Sequence, residues 1–311
     1  MPRGGMKRPV AAVVVTYNRL DLLRQCVEAL RNQTEACDIL IVNNASTDGT
    51  ELWLAEQQDI NSRNTGSNLG GAGGFNYGMR WAVEAGYDYV WVMDDDTLPE
   101  SDALEKLLEA DHILNGEYGW LSSVALWTDG SECKMNRQKL KKSFYEYSPL
   151  LKHGLVQAEQ ATFVSLFLRS EIIRSFGLPI KQYWIWGDDI EYTRRIAVRG
   201  KLQGYIAKRS CVVHAMADNI GSNLANDRAE RIDRYHYAFR NENCLYRKEG
   251  IFGFLYYTAK CAFNMIKILA FAEDHRLLRL GIIGKEYFAG LFFNPKVEYL
   301  NASSQDLGGQ E

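Results

Sequence analysis

Two short apolar runs near the start, PVAAVVV (9–15) and DILIVN (38–43), flank a stretch of helical period over about residues 20–31. This pairing restricts the fold more than any other feature of the chain. A run of β-branched residues with no polar interruption suits a strand buried on both faces, and a parallel neighbour is reached through a crossover helix. The alternation continues downstream. STDGTELWLAEQQ opens with Ser/Thr/Asp capping chemistry for a second helix, and GGFNYGMRWAVEAG reads as a third. YDYVWVM is a third long strand, PESDALEKLLEADHIL a further helix and WLSSVALW a further strand. Such alternation predicts an α/β chain, a mostly parallel sheet with helices on both faces. Ligands of such sheets bind at the carboxyl ends of the strands.

A chain of 311 residues accommodates one large α/β domain with a smaller appendage. The net charge of −3 gives no field that would gather nucleic acid. Six cysteines are scattered without a C-x-x-C pair, which reads as reduced thiols rather than a disulfide framework or zinc site. The apolar part of MPRGGMKRPVAAVVV is too short for a secretory signal. No uncharged run reaches the length of a spanning helix. Residues 251–272 come nearest, and there Lys260, Asn264 and Lys267 share one helical stripe. That helix either lies in a membrane interface, its lysines reaching the headgroups, or packs on the main domain. Periodicity fades over 128–160, where KMNRQKLKKSFYEYSP reads as a loop: a solvated charge run, or a flap that meets an anionic acceptor. The expected division is an α/β domain over 1–230, a helical region over 231–300 and a disordered polar tail over 301–311.

Chemistry concentrates in four places. YVWVMDDDTLPES sets three aspartates at the end of a strand, where alternate side chains point the same way. Asp94 and Asp96 then converge while Asp95 turns aside, and two convergent carboxylates suit a hard divalent cation that clamps a diphosphate. WGDDIEY brings Asp188, Asp189 and Glu191 together beside Trp184 and Trp186. One reading is a general base next to aromatics that wall a sugar site; the other is acids that cap a helix and offset Arg194 or Arg195. His214, after SCVV, is either a packed histidine or a nitrogen ligand for the same cation. SNLGGAGGFNYG lacks the lysine of a P-loop and does not follow the first strand, which excludes nucleoside-triphosphatase and NAD readings. Its glycines permit close approach of a ligand at a helix start.

The order VVVTYNR, VNNASTDGT, NLGGAGGF, DDD and WGDDIEY resembles the inverting glycosyltransferases of family 2 over residues 9–250. NLGGAGGF, the triple aspartate, WGDDIEY, His214 and YHYAFRNENCLY look most like bacterial galactofuranosyltransferases. The resemblance implies the GT-A fold, a Rossmann-like nucleotide-sugar domain, here with a helical C-terminal extension. It also implies UDP-galactofuranose as donor and a lipid-linked glycan as acceptor, met at the inner face of the cell membrane by a cytoplasmic, peripherally attached enzyme. By position, Thr16, Asn43 and Asn68 fall at nucleotide contacts, although Asn43 stands where the wider family has aspartate. Asp94 and Asp95 meet the nucleotide sugar. Asp94, Asp96 and His214 hold Mn2+ or Mg2+. Asp189 is the base, Asp188 and Glu191 orient the acceptor, and Trp184 and Trp186 border it. The competing readings are a rhamnosyl- or other hexosyltransferase using a dTDP- or UDP-sugar, and a non-catalytic nucleotide-sugar-binding protein.

Overall fold

A computed structural model describes residues 9–136, 138–141 and 148–300. The tail at 301–311 and Lys142 of the basic stretch therefore lie outside the described residues. The first half alternates β1 (Val10–Thr16), α1 (Leu20–Arg31), β2 (Asp38–Asn43), α2 (Thr50–Ala55), β3 (Ile60–Asn64), α3 (Gly70–Glu84) and β4 (Tyr89–Asp94). Next come β5 (Thr97–Pro99), α4 (Ala103–Ile113), β6 (Trp120–Leu126), β7 (Lys139–Leu140), α5 (Ser148–Leu151), β8 (Leu155–Gln160) and β9 (Leu166–Arg169). The remainder is α6 (Ser170–Phe176), α7 (Asp188–Arg194), β10 (Gly204–His214), α8 (Arg234–Lys248), α9 (Ile251–Phe271) and α10 (Arg276–Phe292).

All ten strands join one sheet in the order β3-β2-β1-β4-β9-β6-β10-β8-β7, with β5 paired to β10 off that path. The expected parallel sheet is realised in β3-β2-β1-β4. Beyond β4 the sheet is mixed: β9 runs antiparallel between β4 and β6, and β8 lies antiparallel to β10. The reason is connectivity, since β7, β8 and β9 follow one another without the long crossover helices that parallel pairing requires. One correction falls here. The segment read as loop up to residue 160 contains β7, α5 and β8.

The sheet divides two cores by strand alternation. Val10, Ala12 and Val14 join Leu23, Val27, Trp91 and Leu104 on one face. Ala11, Val13 and Val15 join Val42, Phe75, Met79 and Val92 on the other. On that second face α3 lies unusually near the strands. A Cβ on Gly74 would sit 2.4 Å from Val15 Cγ1, and one on Gly78 would sit 2.4 Å from Val13 Cγ1. These glycines serve helix–sheet contact rather than a ligand, whereas Gly71 has open space before it and lines a cleft.

A third core joins α8, α9 and α10 and includes Trp186 and Ile190 of the α7 region. The lysines of the α9 stripe, which the sequence left open between a membrane interface and packing on the main domain, make contacts within the protein. Lys260 turns inward onto Glu242 of α8, at 2.7 and 2.8 Å, and Lys267 lies over the ring of Phe263. After α10 the chain returns to the main body, where the Leu178 amide donates to the Glu298 carbonyl (2.8 Å) and the Glu298 carboxylate meets Arg80 and Lys181.

Candidate active site

β4 ends at Asp94, and the chain turns at once through Asp95 and Asp96 into β5. Because β5 pairs with β10 with Thr97 opposite His214, Asp96 and His214, 118 residues apart in the chain, become neighbours. The Ala215 amide donates to the Asp96 carbonyl (2.8 Å), and His214 Nε2 lies 3.0 Å from Asp96 Oδ1. Asp94, Asp96 and His214 each present one ligand atom, all within 4.8 Å of one another. Asp95 turns the other way, as expected. It accepts from Thr16 Oγ1 (2.8 Å) and lies 3.4 Å from Arg19 Nη1, which also reaches Asp96 Oδ2 at 2.8 Å.

Electrostatics sets the members of the cluster apart. Burial and the neighbouring Asp96 charge push the Asp94 carboxyl up to about 7. Burial raises Asp95 to about 6 against the pull of Arg19. For Asp96 burial acts upward too, but the hydrogen bond and charge of His214 outweigh it and hold the carboxyl low. Burial disfavours the charged imidazole of His214, yet its bonding to Asp96 prevails and pushes it up to about 10. Two carboxylate oxygens and one imidazole nitrogen fit Mn2+ or Mg2+, which would let both acids ionise together. Behind the histidine, Nδ1 sits 2.6 Å from Asn136 Oδ1. Asn136 Nδ2 donates to Thr162 Oγ1 (3.0 Å), which aims its carbonyl oxygen at the ring. The imidazole thus carries a proton on Nδ1 toward Asn136 and turns Nε2 to the acids.

The second acidic motif forms the opposite wall. Residues 184–187 are a contorted loop, with positive φ at Trp184 (64°), Trp186 (63°) and Gly187 (86°). Such backbone in bulky residues persists only where the surroundings impose it. Here the imposing group is Asn241 of α8, whose Nδ2 donates to the carbonyls of Tyr183 (2.9 Å), Ile185 (3.3 Å) and Trp186 (2.8 Å). The loop delivers Asp188 and Asp189 at the start of α7. Burial and the Asp189 charge raise Asp188 well above the carboxylate range, with the Asp94 charge adding to the effect. Burial raises Asp189 to about 6, against the amide of Ile190 that donates to its Oδ1 (2.7 Å).

One cleft of about 710 Å³ is lined by Arg19, Asp94, Asp96, His214, Asp188, Asp189 and Trp186. Other expected site residues lie elsewhere. Glu191 is fully buried, bound to Arg195 and 3.2 Å from Arg199, so it serves the structural alternative that the sequence left open and faces no acceptor. Trp184 is 38% exposed outside the cleft wall, and its carbonyl accepts from the Ala72 amide. Thr16 holds Asp95. Asn43 is buried and braces the turn after β2, donating to Glu51 (2.6 Å) and accepting from the Ser46 amide (2.9 Å). Asn68 Oδ1 accepts from the Gly70 amide (2.8 Å) and from Asn44 (3.2 Å). Both asparagines therefore shape loops at the carboxyl end of the parallel strands. Arg19, Asn136 and Asn241 received no role from sequence; only the placement of Arg19 in VVVTYNR and Asn241 in YHYAFRNENCLY gave a signal.

Comparison with known proteins gives the following likenesses. Residues 11–115 match the family described as glycosyl transferase family 2. Over 256 residues the chain is 26% identical to galactofuranosyltransferase GlfT1 of Mycolicibacterium smegmatis, covering 78% of this chain and 84% of that one. GlfT1 of Mycobacterium tuberculosis is 31% identical over 216 residues, covering 63% and 66%. Among solved structures, GalNAc-T7 with UDP, GalNAc and Mn2+ superposes with a TM-score of 0.58 at 11% identity, over 77% of this chain and 47% of that one. The chain thus spans about half the length of that neighbour, and the likeness speaks for a GT-A fold.

Proposed function

We propose, from the match of residues 11–115 to glycosyl transferase family 2 and the similarity to galactofuranosyltransferases, that the chain moves a galactofuranosyl residue from UDP-galactofuranose to a hydroxyl of a lipid-linked bacterial glycan. The observation that carries this reading is one cleft with a cation-type cluster (Asp94, Asp96, His214) and an adjacent acid pair, Asp188 buried and Asp189 half-buried. In the proposed step Asp189 accepts the proton of the acceptor hydroxyl while that oxygen bonds to the anomeric carbon. The bond from that carbon to the diphosphate oxygen breaks, UDP leaves with the electron pair, and the new linkage has inverted configuration. A divalent ion held by Asp94, Asp96 and His214 would offset the charge that gathers on the departing diphosphate. Asp188, whose carboxyl holds its proton more tightly through burial beside Asp189, is suited to donate a hydrogen bond to the acceptor sugar, and Trp186 walls it. A lipid-linked acceptor places the work at the inner face of the cell membrane.

The test is incubation with UDP-galactofuranose and synthetic lipid-linked acceptors, the product linkage being read by NMR. A β-type inverted furanosyl product is expected. Transfer from a dTDP- or UDP-hexopyranose in preference to the furanose would replace the donor assignment, and metal-dependent UDP binding without any product would remove the enzymatic one.

A further inference from the structure

The outer faces of α9 and α10 are apolar in the wrong direction for a protein in water. Along α9, Phe252, Leu255, Tyr256, Phe263, Ile266 and Leu269 share one stripe, each more than half exposed, with Phe252 at 83%. On α10, Leu277, Leu278, Phe288 and Phe292 do the same, with Phe292 at 87%. Together these side chains expose on the order of 1,000 Å², where monomeric proteins show contiguous patches of a few hundred. The face is as long as a helix of 21 residues, about 30 Å. No described helix is long and apolar enough to cross a membrane.

Charge selects the occupant. α9 contains no Asp or Glu. The single acid of α10, Glu286, is buried against His236 at 2.7 Å. Arg276 and Lys285 are the exposed charges of α10; of the two exposed acids in the turn before it, Asp274 is held by the buried Arg279, which leaves Glu273 against the two cations. A second copy packed on this face about a twofold axis would oppose cation to cation, whereas an anionic headgroup layer would neutralise them.

We propose that the α9–α10 face docks on a bilayer containing anionic lipid, with the apolar stripe in the headgroup–acyl boundary and the cations among the headgroups. The surface deepens the lipid-linked-acceptor reading without depending on the donor. Lys260, on the inner side of α9, grips Glu242, which itself lines the cleft, so the docked helix is one helix layer from the acceptor site.

The full chain is floated with phosphatidylcholine vesicles, with and without phosphatidylglycerol. Binding at least tenfold stronger with phosphatidylglycerol is expected. Ile266→Asp with Leu269→Asp should lower binding at least tenfold while circular dichroism and UDP release with a soluble acceptor stay unchanged. Lys285→Glu should remove only the preference for anionic lipid. If the double aspartate variant misfolds, Phe252→Ser with Leu255→Ser takes its place. Absence of flotation with either vesicle overturns the proposal, as does a dimer in sedimentation that the aspartates dissociate. Failure of the donor assignment would leave flotation untouched, so the two readings fail separately.

Discussion

Asp188 and Asp189 are adjacent carboxyls at one helix start, and the structure gives them different proton affinities. Asp189 rises to about 6 through burial, so its capacity to accept a proton develops as pH climbs past that value. Turnover is therefore expected to increase up to about pH 6 and then level, in a kcat/KM profile measured at saturating metal. Its folded value lies above the unfolded value of about 3.9, so the folded state binds the proton more tightly. The associated stability is complete below about pH 4 and is lost as pH rises through about 6. Asp189→Asn should consequently leave UDP affinity near wild type, lower kcat by about 10²–10⁴ and raise Tm by about 2–4 °C at pH 7.5 but not at pH 4. Wild-type turnover in that variant would remove Asp189 as base. The D-x-D pair was legible because three like charges after an apolar strand demand an explanation in the sequence itself. Glu191 was misread although its partner at i+4, Arg195, stood in plain view, since only the helix phase decides which acid faces the cleft. Asn136 was illegible because its task depends on a histidine 78 residues away.

At the scale of elements, period and polarity told more than motif. The runs that became β1, β2 and β4 were visible because burial on both faces leaves no polar interruption. β3 (INSRN) escaped because it is the sheet's edge, with four of its five residues exposed. β8 sat beyond a basic segment that hid its pattern. α3 shows how a motif can mislead: a glycine-rich helix start suggests a ligand, yet Gly74 and Gly78 admit the β1 valines. Gly78→Ala should cost about 1–3 kcal/mol in denaturant unfolding, because the new methyl overlaps Val13 and Val42 on a rigid sheet. The gain in helix propensity, about 1 kcal/mol, opposes this and makes the lower end of the range the floor of a meaningful result. A variant more stable than wild type would show that α3 can move off the sheet, and would return the glycines to a ligand role.

For the whole molecule, the expected boundary at residue 230 falls just before α8, and contacts cross it. The sequence shows a change from alternation to continuous helix there. It cannot show that Trp186 and Ile190 pack into the core of the C-terminal helices, or that Asn241 holds three carbonyls of the loop before α7. Glu298, nearly at the end of the described chain, returns to Arg80 and Lys181. The wall that carries Asp188 and Asp189 is thus built on the region that a sequence division would remove. A chain cut after residue 230 should lose the contorted loop, expose Trp186 and bind a hydrophobic dye, with its far-ultraviolet helix signal reduced beyond the share of the missing helices. Asn241→Leu isolates the same coupling without truncation. Three carbonyls, that of Tyr183 buried, would lose their donor, at about 1–3 kcal/mol for each left unsatisfied, and kcat should fall further than UDP affinity because Asp189 hangs on the loop while Asp94 and Asp96 do not. Equal losses in both would mean that the two walls of the cleft are not independent, and that the C-terminal helices support the cation cluster as directly as they support the base.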